Sequence, residues 1–396
     1  MTGRRWSILA LVLAVQTVAN VGPLGIPAIA SLIRDDLGLT LPQAGSFLSA
    51  YYIGPVVMSL PAGTLADRWG VLRTLVLGQA VIALGLAAAS AAPSYWILAA
   101  LMMAAGAGYG MLNPTSTKAV IAWFPPAQRA TAVGLKQVGL PLGGALGAAF
   151  MPPLALAIGW RAAVVLSGGL MSAGVIATLA LYRDPAAVPV ARAAPPRPSL
   201  GAVLTTRDLW LVAASTLVFA AVQTVWMAFL VLYLQEIVGL SLLVAGRLLA
   251  AAQVAGMAGR VVFGLLSDRA FGGRRRAPLA LAGIGSALCS LAIAATGPGS
   301  SLAGLTLLAL AFGFVGIGWN GVQHTLMAEL AGPDAAGTAL GLGLAVSSLG
   351  VTVGPPLFGY AVELAGGYRG PWIGLAVTMA AALAVLALVR ERPRLP

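Results

Sequence analysis

The sequence has little charge and few of the side chains that usually carry out chemistry. Only 9% of its 396 residues are charged, and it contains one cysteine and one histidine. A soluble domain would carry roughly 25% charged residues, so lipid must be the solvent for most of this chain. A lone histidine without a cysteine–histidine cluster argues against a structural metal site. We therefore expect no metal, no other cofactor and no enzymatic activity.

Carboxylates are also scarce, and none is expected in the middle of an apolar segment. All eleven acidic residues lie in predicted loops or at the ends of predicted helices, whereas 23 basic residues give a net charge of +12. The basic residues lie mainly in short gaps between apolar runs, not on a polar domain that could bind nucleic acid. The positive charge therefore indicates a lipid bilayer as the partner.

Long apolar segments dominate the composition. Hydrophobic residues make up 59% of the chain, and the mean hydropathy is +0.94. About 20 apolar residues are enough for a helix to cross the hydrocarbon core. The sequence accordingly predicts an all-α integral membrane protein with twelve transmembrane helices. These helices are expected at residues 7–33, 43–66, 72–91, 94–123, 129–157, 160–182, 208–235, 241–266, 277–298, 301–329, 337–364 and 370–390.

The distribution of basic residues predicts the orientation in the membrane. With both termini in the cytoplasm, the cytoplasmic ends and loops hold sixteen basic residues, and the opposite loops hold three. An excess of this kind is typical of cytoplasmic loops. We expect a monomeric, multi-pass protein of a bacterial inner membrane with both termini cytoplasmic.

The chain divides into two related halves. Residues 184–206 are proline-rich without an apolar period, which predicts a cytoplasmic linker between six-helix bundles at 1–183 and 207–396. The segment 14–18, Ala-Val-Gln-Thr-Val, recurs at 221–225, an offset of 207 residues. Parallel halves of this kind are typical of transporters, with the solute site near the middle of the bilayer.

Two predicted loops carry nearly the same pattern. Its members are Gly63, Asp67 and Arg68 after the second helix, and Gly264, Asp268 and Arg269 after the eighth. The pattern resembles the Gly-x-Leu-x-Asp-Arg-x-Gly-Arg signature of the major facilitator superfamily, and the resemblance extends over the whole chain. It implies two pseudo-symmetric six-helix bundles and a motif that latches the cytoplasmic gate. The alternative is a basic loop that only orients the protein.

Two cations are predicted within helices at a similar depth from the cytoplasm, Lys136 on the fifth and Arg260 on the eighth. A charge at this depth costs ~2.5–3.5 kcal/mol on insertion scales, so it indicates a function. In the resembled family these helices are neighbours, which implies an anion clamp. The setting of Arg260 also resembles the arginine of monocarboxylate and nitrate/nitrite carriers. Alternatively, Arg260 tethers the following loop and Lys136 extends towards lipid headgroups.

Polar and aromatic residues on four other helices are candidates for the lining of a substrate cavity. The two glutamines among them could instead form hydrogen bonds between helices. The histidine could instead have only a packing role, or it could sense protons. The candidates are Gln16, Asn113, Gln223, Asn320, His324, Trp226 and Trp319.

These features together predict a secondary active transporter that works by alternating access. The favoured substrate is a small organic anion, monocarboxylate-like, with proton symport, because no carboxylate is expected at mid-membrane to bind a cation. The alternative is an exporter of neutral or hydrophobic small molecules.

Overall fold

The structure is a computed structural model that describes residues 2–184, 200–332 and 335–391, and within these ranges it contains helices and no strand. A helix satisfies its own backbone hydrogen bonds, which a chain in lipid requires. The predicted all-α class is therefore confirmed. Most of the predicted linker, at 185–199, lies outside the described residues. Its end forms a short helix, Leu200–Thr205, which the sequence did not predict.

Eleven helical segments among the described residues are long and apolar enough to cross a membrane. They coincide with every predicted transmembrane helix except the second. The second corresponds to a 23-residue helix, Phe47–Trp69, whose first part, Phe47–Met58, is apolar.

Contacts divide the described chain into two compact units, the first comprising residues within Met1–Val190 together with Ser241–Ala250. A 3₁₀ turn at Ile26–Ile29 interrupts its first transmembrane segment, which contains Pro23 and Pro27. Its helices are α1 (Thr2–Gly25), α2 (Ala30–Leu37), α3 (Leu41–Gly45), α4 (Phe47–Trp69), α5 (Val71–Ser90), α6 (Tyr95–Trp123), α7 (Pro126–Gln137), α8 (Gly139–Ile158) and α9 (Trp160–Leu181).

The second unit comprises the described residues within Ala191–Leu240 and Ala251–Pro396, so one helix, α12, contributes to both units. Two π-helical turns occur in it, at Leu266–Ala270 and Gly313–Ile317. The remaining helices of the chain are α10 (Leu200–Thr205), α11 (Arg207–Glu236), α12 (Leu242–Leu265), α13 (Arg276–Ala294), α14 (Leu302–Phe312), α15 (Asn320–Ala331), α16 (Ala336–Ala365) and α17 (Arg369–Ala387).

Glycine packing shows the internal repeat in three dimensions. A Cβ atom on Gly106 would overlap the carbonyl oxygen of Tyr51, and one on Gly313 would overlap that of Ala252. The glycines differ by 207 positions, which is the offset of the repeated segment 14–18, and their partners differ by 201, which is the offset between Gly63 and Gly264 of the two loop motifs. Equivalent helix pairs therefore approach closely in each unit because neither glycine has a side chain.

A second glycine face brings α8 against α1. Gly139, Gly143 and Gly147 recur every four residues, so they share one side of α8. A Cβ on Gly139 would meet the side chain of Gln16, and one on Gly143 would meet that of Asn20. The close approach buries both polar side chains of α1 completely.

Candidate functional site

Lys136 lies in the first unit where the fifth predicted transmembrane helix breaks. The break falls between α7 and α8, at Val138. Pro141 has no N–H to donate to the carbonyl group of Gln137, so the helical hydrogen-bond ladder is interrupted there. The side chain of Lys136 is fully buried, so it does not extend to the headgroups in this structure.

The ammonium group of Lys136 is surrounded by neutral oxygen atoms of α6. Its Nζ donates to the carbonyl oxygen and Oδ1 of Asn113, at 3.0 and 2.6 Å, and to Oγ1 of Thr117 at 3.0 Å. These bonds use all three hydrogens of the ammonium group. No ion pair of Lys136 is found within the described part of the chain. The three oxygens therefore accept the hydrogen bonds of Lys136 but provide no compensating negative charge.

One face of α6 joins Lys136 to α1. Tyr109, Asn113 and Thr117 follow each other at intervals of four residues and share that face. Tyr109 accepts a hydrogen bond of 2.8 Å from Nε2 of Gln16. Gln16 thus makes the hydrogen bond between helices that was its alternative role, and its partner Tyr109 lies on the same face of α6 as Asn113 and Thr117, which contact Lys136. The four-residue spacing was the signal that could have added Tyr109 and Thr117 to the candidates.

Gln223 is the centre of a polar cluster in the second unit. Its Oε1 accepts hydrogen bonds from Nε1 of Trp319 at 3.0 Å and from Nδ2 of Asn320 at 3.2 Å. The preceding π turn, Gly313–Ile317, ends the regular α-helix just before these two residues. Turns of this type are frequent at functional sites. The structure thus brings together Gln223, Trp319 and Asn320, three of the residues predicted to line the substrate cavity.

Arg260 and His324 also belong to the second unit, and both side chains are half-buried. They lie on α12 and α15, close enough for their charges to interact. The role of Lys136 and Arg260 as an anion clamp remains a prediction.

Trp226 lies in the packed core of the second unit. Its ring stacks on Phe312 with centroids 4.0 Å apart and also contacts Trp372. Its Nε1 donates to Oγ of Ser290 at 3.1 Å, and the residue is 1% exposed. These contacts account for the whole side chain, so we leave Trp226 out of the candidate site.

The first copy of the loop motif lies at the end of α4. Arg68 is exposed there. The backbones of Gly63 and Asp67 are helical, and the side chain of Asp67 lies outside the described part of the structure. The latch expected of this copy therefore remains a prediction.

The second copy of the motif forms an ionic network around Arg275, which lies in the basic run that follows Asp268 and Arg269. Arg275 donates from Nη1 to Asp268 and to Ser267, and from Nη2 to Glu329 at 3.1 Å. Arg269, which directly follows Asp268 in the sequence, is exposed. Although burial lowers the pKa of Arg275, its hydrogen bonds to Glu329 and Asp268 outweigh that effect and raise it above the ordinary value. Arg275 thus remains charged.

The same network ties the end of the chain to α13. Oε1 of Glu391 accepts hydrogen bonds from the backbone N–H groups of Arg275 and Arg276, at 2.6 and 2.8 Å. A carboxylate in this place satisfies donors at the start of a helix. Glu329 and Glu391 were missed because their partners are more than fifty positions away along the chain.

Comparison with known proteins identifies the family. The model of the Major Facilitator Superfamily matches residues 9–349. The chain belongs to this superfamily. It is accordingly a multi-pass membrane transporter and not an enzyme.

Relatives and solved structures of the superfamily agree with this assignment. A probable sulfoacetate transporter of Cupriavidus necator is 28% identical over 93% of this chain and 90% of its own length. A hexuronate transporter of Bacillus subtilis is 35% identical over 35% of this chain and 32% of its own. The crystal structure of a bacterial homologue of the human lysosomal transporter Spinster, inward-facing and unoccupied, has a TM-score of 0.84 at 17% identity. The match covers 98% of this chain and 97% of the Spinster homologue, so the two proteins share a fold over nearly all of this chain.

Proposed function

We propose that this superfamily member transports a small organic anion, monocarboxylate-like, by alternating access and with proton symport. The halves at 1–183 and 207–396 would rock against each other around the cytoplasmic linker at 184–206 in a bacterial inner membrane. Both termini would be cytoplasmic, and the protein would act as a monomer. The observation that carries the proposal is the lysine side chain of Lys136, buried within a transmembrane segment among neutral oxygen atoms.

A lysine buried in this way, when protonated, attracts an anion. An embedded lysine costs ~2.5–3.5 kcal/mol on insertion scales, and the oxygens of Asn113 and Thr117 offset only part of that cost. A carboxylate or sulfonate near Lys136 would supply the missing negative charge. A cationic substrate would instead be repelled by Lys136 and by Arg260. The guanidinium group of Arg260 can bind two oxygens of one carboxylate, which suits the same class of substrate.

The relatives support this substrate class. Sulfoacetate and hexuronates, which the relatives' names give as their substrates, are small organic anions.

Proton coupling is proposed through His324. A proton on His324 and the charge of Arg260 repel each other, and an anion bound at Arg260 would cancel that repulsion. An anion bound at Arg260 would therefore strengthen the binding of a proton to His324. By reciprocity, a proton on His324 would strengthen the binding of the anion. Both would then be carried in the same direction.

Uptake into proteoliposomes tests the proposal, with sulfoacetate and glucuronate as substrates. Arg260→Gln and Lys136→Gln should each abolish uptake while the purified protein remains folded. Arg260→Lys should also fail, because a point charge cannot replace the planar fork of arginine. Lys118→Gln, on the same helix as Asn113, is the matched control and should retain uptake. Normal uptake by both Gln variants would refute the proposal and favour the exporter of neutral compounds.

A further inference from the structure

Three oxygen atoms of α6 surround the amino group of Lys136, and one of them belongs to a hydroxyl group. Nζ lies 3.0 Å from the carbonyl oxygen of Asn113, 2.6 Å from its Oδ1 and 3.0 Å from Oγ1 of Thr117. A protonated lysine has three N–H donors, so three acceptors suit the charged form. A carbonyl oxygen only accepts, whereas a hydroxyl group can accept or donate. Thr117 can therefore also serve the uncharged form.

The uncharged form of Lys136 needs a hydrogen-bond donor as well as acceptors, because a neutral amine has two N–H groups and one lone pair. Beside the charged form, the hydroxyl group of Thr117 donates to the carbonyl oxygen of Asn113 at 2.9 Å. Rotating that hydroxyl group towards Nζ supplies the donor and moves no heavy atom. The carbonyl oxygen of Asn113 keeps a hydrogen bond of 2.9 Å from Oγ of Ser116. The site can thus satisfy either form of the lysine.

The helices around Lys136 provide no negative charge. Within the first unit, α7 packs mainly against α1, α6 and α8, and none of these four helices contains an aspartate or a glutamate. Tyr109 shares the face of α6 that meets Lys136, and a phenol is neutral near pH 7. The other titratable side chains on these helices are Tyr95, Lys118, Arg4, Arg5 and Arg129. The basic ones among them disfavour a further positive charge, so the charged lysine lacks a counterion here.

We propose that Lys136 is a proton-carrying site of this transporter, neutral when the site is empty and protonated when the anionic substrate is bound. A charge within a helix in lipid is costly, which favours the neutral amine until an anion arrives. The –NH2 group then takes one proton from the aqueous side to which the site is open and becomes –NH3+. It returns that proton when the anion leaves on the other side. Thr117 is a positioning residue that satisfies both forms.

This inference rests on the proposed function and adds to it a second proton site, in the first unit, besides His324. It also links the affinity for the anion to pH. An anion that binds only the protonated lysine binds more weakly as the pH rises, by about tenfold per pH unit once the empty site is neutral. In that range each binding event takes up about one proton. A permanently charged residue in place of Lys136 would show neither effect.

Calorimetry on the purified full-length protein measures both effects, with glucuronate and sulfoacetate as probes between about pH 6 and pH 8. Carboxylates titrate near pH 4 and stay ionised in this range. Titrations in two buffers with different heats of ionisation give the number of protons taken up. Lys136→Arg, whose guanidinium group stays protonated, should bind the probes with about one proton fewer than the wild type. His324→Asn should still take up about one proton, which separates Lys136 from His324.

Two variants of Thr117 test its role without altering the lysine. Valine has nearly the shape of threonine but lacks the hydroxyl group, which serine keeps. Hydrogen bonds to charged groups are the stronger ones, so losing the hydroxyl group disfavours the charged lysine more than the neutral one. Thr117→Val should therefore bind glucuronate about fivefold more weakly at the alkaline end of the range. At the acidic end, where the empty site is already protonated, its affinity should change little, and Thr117→Ser should match the wild type throughout.

The outcomes separate this inference from the proposed function. If the wild type binds neither probe, the proposed function fails and this inference fails with it. If the wild type binds a probe without taking up protons, or if Lys136→Arg keeps the full proton uptake, the inference is wrong while anion binding stands. Equal affinities of Thr117→Val and Thr117→Ser at every pH would refute the role of Thr117. Should Lys136→Arg not fold, His324→Asn decides, because uptake of no proton by that variant would leave His324 as the carrier.

Discussion

Replacing Arg275 by methionine should destabilise the second unit, because this side chain holds three polar partners at the ends of two helices. Methionine keeps the apolar stem and removes the charge and the hydrogen bonds. Asp268 and Glu329 would lose their ion pairs, and Ser267 would lose one hydrogen bond. We therefore expect the Arg275→Met variant to be less stable than the wild type.

The size of the effect follows from the exposure of the partners. Removing one member of a buried ion pair costs ~3–5 kcal/mol, whereas an exposed pair contributes ~0–1 kcal/mol. The side chain of Arg275 is 9% exposed, but those of Asp268 and Glu329 are 61% and 31% exposed. Water can resolvate the two carboxylates in part, so we expect a loss of about 2 kcal/mol. That corresponds to roughly a 30-fold change in the folding equilibrium.

The assay is thermal unfolding of the purified protein in detergent, followed by uptake in proteoliposomes. A loss of about 2 kcal/mol should lower the melting temperature by roughly 4–8 °C for a unit of this size. Arg269→Met is the matched control because Arg269 lies next to Asp268 but is exposed, and it should change stability by less than about 0.5 kcal/mol. Equal destabilisation by the two variants would refute the network, since general loss of positive charge would then be the cause.

Two further predictions concern packing and topology. Gly106→Ala should destabilise the first unit by about 1–3 kcal/mol, because the added methyl group overlaps the backbone of Tyr51. Gly134→Ala, where the methyl group meets open space, should be neutral or slightly stabilising in the same melting experiment. A cysteine at Thr2, in a Cys289→Ser background, should resist impermeant thiol reagents in intact cells. Ready labelling from outside would show that the N-terminus is not cytoplasmic.

Much of the fold could be predicted from the sequence because lipid imposes simple requirements. Segment length and hydropathy decide which residues cross a bilayer, and the observed helices match the predicted transmembrane segments. The breaks between α7 and α8 and at Gly313–Ile317 were not predicted. The first depends on Pro141, which a hydropathy pattern treats as part of a continuous span, and the second accompanies a close helix contact at Gly313.

The candidate site was predictable in residue type but not in its contacts. The sequence singled out Lys136, Asn113, Gln223 and Asn320 because polar groups are costly in lipid. The roles of these residues could be assigned only once their hydrogen-bond partners were known. Thr117, for example, was recognised as part of the site only from the packing of α6 against α7.

The sequence by itself determined the membrane environment, the helical class, the internal repeat and the superfamily, since each depends on composition or on spacing along the chain. Only the tertiary structure decided that Arg275, and not Arg269, pairs with Asp268, and that Trp226 packs in a core. The physical reason is that hydrogen bonds are short and directional. They depend on how helices are rotated and packed, which residue identity and spacing do not specify.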